Sequence, residues 1–290
     1  MSGWISAFAK MISYPFLRRA LGAGVVVALC AGLLGTALVP RRFSNVGNSL
    51  SQVGFAACAA ALAVGWTPLY VALPVVTAAS FLLFWLDKKG LLAGDAATAL
   101  LSTGSLAVGA LALSLTTGMT TDVCNYLFGS VLSMTRADEI LSYLLGGAVA
   151  ALFALCYHRI FAVTFDAGFA RAAGLPVDGI QLLLSVLTAV TVVLGMRIMG
   201  TLLISSLILF PALTAMRVCR RYGTLVLCAA AVSVVCFVAG LFFSYCWSTP
   251  TGASIVLANL AACGLFSLAG LLLRRVRRAG AAHENREDCQ

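Results

Sequence analysis

Charge is the first thing this sequence lacks. Only 10% of its 290 residues are charged, where a soluble domain carries about 25%. A chain this poor in charge cannot cover a water-facing surface, so a soluble globule is excluded. Histidine is confined to His158 and His283, lysine to Lys10, Lys88 and Lys89, and no two cysteines stand in a Cys-x-x-Cys spacing. A zinc ribbon or a thioredoxin-like redox site therefore has no sequence basis. No Gly-x-x-x-x-Gly-Lys-[Ser/Thr] occurs either, so the chain has no P-loop with which to hydrolyse ATP. What is present is apolar: 61% of residues are hydrophobic and the mean hydropathy is +1.02. Lipid is the implied solvent, and the ten cysteines read as small buried hydrophobes.

Apolar runs of the 17–25 residues needed to cross a bilayer fall at approximately 20–40, 46–65, 68–86, 95–115, 137–157, 179–196, 199–216, 223–245 and 252–273. The expected fold is an all-α polytopic bundle of about eight or nine transmembrane helices. The joins at Trp66-Thr67-Pro68 and Met196 to Gly200 are open to a turn, a kink or a re-entrant segment. Residues 1–19, with spaced aromatics and Lys10, are open to an interfacial helix or a frayed apolar leader, and no cleavable segment is evident. Residues 20–273 form the membrane domain, and 274–290 form a basic, then polar, cytoplasmic tail.

The net charge of +9 is explained by topology rather than by nucleic acid. Placing Arg41-Arg42 inside puts Lys88-Lys89, Arg159 to Arg171, Arg217/Arg220/Arg221 and Arg274 to Arg278 inside as well. Lys10, Arg18, Arg19, Arg136 and Arg197 are left outside. No carboxylate falls at the centre of a span, which argues against a proton- or sodium-driven carrier, and no matched pair of broken helices marks an inverted repeat. An integral-membrane enzyme would need a buried acid-base or nucleophile arrangement, and none is apparent. Arg197 and Asn259 are expected to be satisfied by neighbouring backbone.

The most polar intramembrane stretch is Ser44 to Gln52. Asn48 and Gln52, four apart, share one helix face with Ser51 beside them. Such amides must meet another helix or a watery path, so interhelical bonding and a substrate path are both open. The alanines from Ala56 to Ala61 offer a surface for close helix approach.

Arg41-Arg42 followed by Gly47-Asn48-Ser49-Leu50-Ser51-Gln52 resembles the arginine loop and Gly-Asp-Ala-Leu-Ser-His segment of the permeases in zinc, manganese and iron ABC importers. Tyr126 to Gly129, Asp166 to Pro176, Gly200 to Ala215 and Pro250 to Ala253 match that family in order. The resemblance implies a bacterial inner-membrane permease and assigns Asn48, Ser51 and Gln52 to the substrate path. It departs at the two positions where the family has Asp and His; here Asn48 and Gln52 supply neutral amides, which bind divalent cations more weakly. It implies as partners an ABC ATPase that uses ATP, an extracytoplasmic metal-binding protein and a second permease copy, identical or not. The ATPase would press on Asp166, Arg171 and Gly174, and on Pro211, Arg217, Arg220, Arg221 and Gly223. The loop 116–136, with Asp122, Cys124, Asn125 and Tyr126, is read as an external connector or a docking surface for the binding protein. A permease for a siderophore or cobalamin chelate, a membrane enzyme and a structural subunit are the competing readings.

Overall fold

The structure, a computed structural model, describes residues 15–41, 45–89, 94–114, 136–219, 221–247 and 249–268. Among these, nine helices are long and apolar enough to cross a membrane. In chain order the helices are α1 (Pro15–Leu38), α2 (Val46–Val64), α3 (Pro68–Lys89), α4 (Gly94–Ser114) and α5 (Arg136–Leu155). Two short helices follow, α6 (Tyr157–Phe165) and α7 (Ala167–Ala172), and then α8 (Val177–Met199), α9 (Thr201–Val218) and α10 (Tyr222–Trp247). The last span is α11 (Thr251–Leu268). Every expected span is a helix, with ends shifted by a few residues. Residues 15–19 are already part of α1; residues 1–14, Arg42, the 115–135 segment, Arg220 and the 274–290 tail lie outside the described residues.

Both uncertain joins are chain reversals. At the end of α2, Gly65 takes φ +78°, and its N–H bonds Leu62 O while Trp66 N–H bonds Ala61 O. This paired Schellman closure ends the helix and hands the chain to Pro68, the favoured first residue of the next one. Between α8 and α9 the link is Gly200 alone, at φ +89°. The helices then pack on each other so closely that a Cβ on Gly195 would lie 2.3 Å from Ile204 Cδ1.

The helices form an inner group and an outer group. Spans α1, α2, α8 and α9 are 67, 72, 72 and 56% buried, whereas α3, α4 and α11 are 22% buried and α5 28%. The inner four therefore bury their side chains against protein, and the outer helices present Leu100, Leu111, Leu144, Leu257 and Leu265 outward, as lipid demands. Hydroxyls inside the spans are satisfied locally, as with Thr188 to Leu184 O, Thr191 to Leu187 O and Thr214 to Phe210 O. Others cross between helices: Ser233 donates to Ala28 O at 2.6 Å, and Ser80 and Ser185 share a hydrogen at 2.7 Å. Small residues set the closest approaches. Gly109 of α4 lies against Phe55 and the Cα of Ala56, within the alanine run of α2.

Candidate functional site

The polar stretch of α2 starts where the helix does. Asn45 precedes the first turn and accepts from the Ser49 backbone and hydroxyl, so the helix begins with its polar residues near the Arg41 end. Asn48 is exposed, Gln52 half-buried and Ser51 buried. Gln52 Nε2 donates to Asn48 Oδ1 at 3.4 Å, and Ser102 of α4 donates its hydroxyl to Gln52 Oε1 at 2.7 Å. Ser51 turns inward on its own helix, bonding Asn48 O at 2.8 Å. The result is a chain of neutral dipoles, Asn48, Gln52 and Ser102, running from an open end into the α2–α4 contact. Its amide oxygens can accept from water or ligate a cation weakly, and its amide hydrogens can donate. It carries no charge and no group able to act as a general base near neutral pH. Ser102, fifty residues from Gln52, is the member that sequence reasoning missed.

The two segments singled out at the cytoplasmic side are brought together by rings. Tyr157, Phe161 and Phe165 recur every fourth residue, so α6 presents them on one face. Tyr222, at the start of α10, packs on all three, with ring centroids 5.4, 5.0 and 5.6 Å away. At the end of α6 the Asp166 carboxylate caps α7 by accepting from Phe169 N–H at 2.8 Å. Gly174 at φ +78° closes α7 with a second Schellman pair, Gly174 N–H to Arg171 O and Leu175 N–H to Ala170 O. Arg171 sits 3.8 Å from Asp178 in an exposed pair. The surface so made is open: Phe169 is 70% exposed, with Gly168, Arg171, Ala172, Ala173 and Gly174 exposed around it. Arg217 and Arg221 are exposed at the end of α9 and the start of α10, Pro211 is buried within α9, and Gly223 lies beside the Tyr157 hydroxyl.

The outer ends of the bundle hold a different arrangement. Arg197, expected to rest on backbone, instead pairs with Asp138 at 2.9 Å. Arg19 likewise reaches Glu139 at 3.5 Å. Both carboxylates lie in the first turn of α5, where the helix dipole favours negative charge. Two of the arginines that the charge count assigns to the outside are thus paired with acids of the same turn. Asn259 meets backbone on one side only: Nδ2 donates to Ile255 O at 3.0 Å, and Oδ1 is buried with no partner among the described residues. The same residues include no group of three or more His, Cys, Asp or Glu placed to hold a metal ion.

Comparison with known proteins agrees with this architecture. The family model described as the ABC 3 transport family matches residues 13–269. The manganese transport system membrane protein MntC of Halalkalibacterium halodurans is 28% identical over 269 residues, covering 93% of this chain and 91% of that protein. The high-affinity zinc uptake system membrane protein ZnuB of Haemophilus influenzae is 28% identical, over 91% of this chain and 99% of its own length. Among solved structures, PsaBC from Streptococcus pneumoniae in complex with Fab aligns with a TM-score of 0.80 at 25% identity, covering 90% of this chain and 95% of that one. The chain belongs to the ABC 3 transport family, as a multi-pass permease subunit of the bacterial inner membrane for which ATP is hydrolysed by a separate subunit.

Proposed function

We propose that this permease passes a divalent transition metal ion, zinc, manganese or iron, from an extracytoplasmic binding protein to the cytoplasm, as a homodimer or one half of a heterodimer. Its relatives over nine-tenths of the chain are named for manganese and zinc, which supports the substrate class. The observation that carries the path is the Asn48, Gln52, Ser102 chain, open at Asn48 and hydrogen-bonded throughout. Neutral oxygen donors replace part of an ion's hydration without holding it, as a conduit requires. Carboxylate and imidazole at those positions would bind more tightly and release more slowly.

Energy enters through α6 and α7, whose rings meet the start of α10 on the same side of the bundle as the Arg41 end of α2. Phe169 and the small residues around it form a knob on α7, and Arg217 and Arg221 add exposed positive charge at the α9–α10 corner. An ATPase groove that takes up Phe169 would push α7, and the ring stack on Tyr222 would carry the push to α10. Asp166, Arg171 and Gly174 shape α7, and Pro211 shapes α9, rather than touch substrate.

The test is ATP-driven uptake of zinc, manganese and iron into vesicles holding the permease, its ATPase and its binding protein. Uptake of at least one of these ions, saturating at low concentration, is expected. Uptake of an iron chelate or a cobalamin in their place would move the chain to the chelate class.

A further inference from the structure

Resting on the metal-import reading, we propose that a second place in this chain receives the cation: an outer cleft where Asp138 is the ligand and Arg197 the counter-ion it gives up. The cleft has a volume of about 550 Å³. Its walls are the outer ends of α3 and α5, with Thr67, Pro68 and Tyr70 on one side and Asp138 and Leu141 on the other. Cys58 of α2 and Val193, Met196 and Arg197 of α8 form its floor. A cation with six waters takes up about 200 Å³, at roughly 30 Å³ per water, so the cleft admits a hydrated ion.

The cleft is separate from the amide chain. Cys58 lies six residues beyond Gln52 on α2, about 9 Å along the axis and about 120° around it. Met196 rests on Gly54 so tightly that a Cβ there would be 2.8 Å from its sulfur.

Its chemistry is that of an exchanger. Among the described residues Asp138 and Arg197 are the charged ones that line it, and their charges cancel. Asp138 is 8% exposed, while 42% of the Arg197 side chain is open. The carboxylate is therefore fixed and the guanidinium has somewhere to go. A doubly charged ion arriving at Asp138 offers more attraction than a singly charged guanidinium at similar range, so the ion takes the carboxylate and Arg197 swings to water. Arg197 returns as the ion leaves, so the ion is never held tightly. Cys58 and Met196 at the floor favour borderline and soft cations over magnesium or calcium. The Arg19–Glu139 pair, on the same turn of α5, is an internal control, because neither residue lines the cleft.

The experiment is equilibrium binding of radioactive zinc or manganese to the permease with its ATPase in nanodiscs, without binding protein or ATP. Removing the competitor by Arg197→Gln is expected to tighten binding roughly two- to fivefold, the size of losing one partly exposed ion pair. The gain should vanish in Arg197→Gln/Asp138→Asn, which removes both charges of the pair together. Arg19→Gln should leave affinity unchanged, and calcium should compete poorly. Equal binding by Arg197→Gln and the double variant, or an equal gain from Arg19→Gln, would overturn the site. Where wild-type vesicles import metal, such a result removes the cleft alone; where they import none, the transport reading falls with it.

Discussion

Replacing Asn48 and Gln52 together with leucine separates a conduit from a helix clamp. The double change removes two hydrogen bonds, Gln52 to Asn48 at 3.4 Å and Ser102 to Gln52 at 2.7 Å. At about 0.6 kcal/mol for each bond between membrane helices, the loss is about 1.2 kcal/mol. Two leucines return some 0.3–0.6 kcal/mol each at membrane depth, less for the exposed position 48. The Ser102 hydroxyl is free to turn onto its own helix, as Ser105 and Thr98 do on theirs. The net destabilisation is below about 1 kcal/mol, a shift of about 2–4 °C in melting temperature for a chain of this size. An ion that passes this point loses polar partners at roughly 2 kcal/mol or more each, which is over tenfold in rate. The assay pairs a thermal melt in detergent with uptake in vesicles, normalised to permease content. The expected outcome is a nearly unchanged melt with uptake down at least tenfold. Uptake that follows protein content alone would refute the conduit and leave the stripe as packing. Asn48→Asp with Gln52→His should do the reverse at the ion, raising its affinity in the path because carboxylate and imidazole outcompete amides.

Gly174 sits at φ +78° with nothing within 4 Å of a built Cβ, so Gly174→Ala carries a purely conformational penalty of about 1–2 kcal/mol. Gly174→Asn, which tolerates that conformation, should retain more coupled ATPase activity than alanine. Reversing charge at Arg217 and Arg221 is expected to weaken co-purification of the ATPase and abolish uptake while membrane content stays constant; intact uptake would exclude this surface from coupling. A Cβ on Gly35 would fall 2.1 Å from the backbone oxygen of Ile208, which no rotamer change relieves, whereas Gly104 faces open space. Gly35→Ala should therefore collapse the yield of folded protein, and Gly104→Ala should leave it level or raise it by the better helix propensity of alanine, both read by size-exclusion fluorescence.

The spans were legible because the bilayer imposes a length and a composition that hydropathy registers directly. That is why the nine runs and the nine helices coincide to within a few residues. What the run of hydropathy could not show was any pairing between distant positions. Ser102 with Gln52, and Arg197 with Asp138, are separated by fifty or more residues, and their meeting depends on how α2 sits against α4 and α8 against α5. The expectation that Arg197 rests on backbone failed for that reason. Helix α6 was missed for a different one: the stretch from Arg159 to Arg171 falls between two spans with an arginine at each end, and so reads as a loop. The signal that marks it as helix, aromatic residues at 157, 161 and 165, is a period rather than a composition. The Gly200 join could not be resolved because one glycine serves a kink and a reversal equally well; the contact between Gly195 and Ile204 decides it.

That single-residue join also constrains how the bundle moves. Two helices tied by a long loop can slide along each other, but α8 and α9 share one glycine and meet again within five residues on either side. Sliding is ruled out, and only hinge-like opening about the outer end is left. A pair so fastened behaves like tongs with the rivet at the Gly200 tip. The largest excursion then falls at the far ends, at Val177 and Val218, where α7 and the arginines of the α9–α10 corner sit. Force applied by a subunit at that end acts with the full length of both helices as its lever.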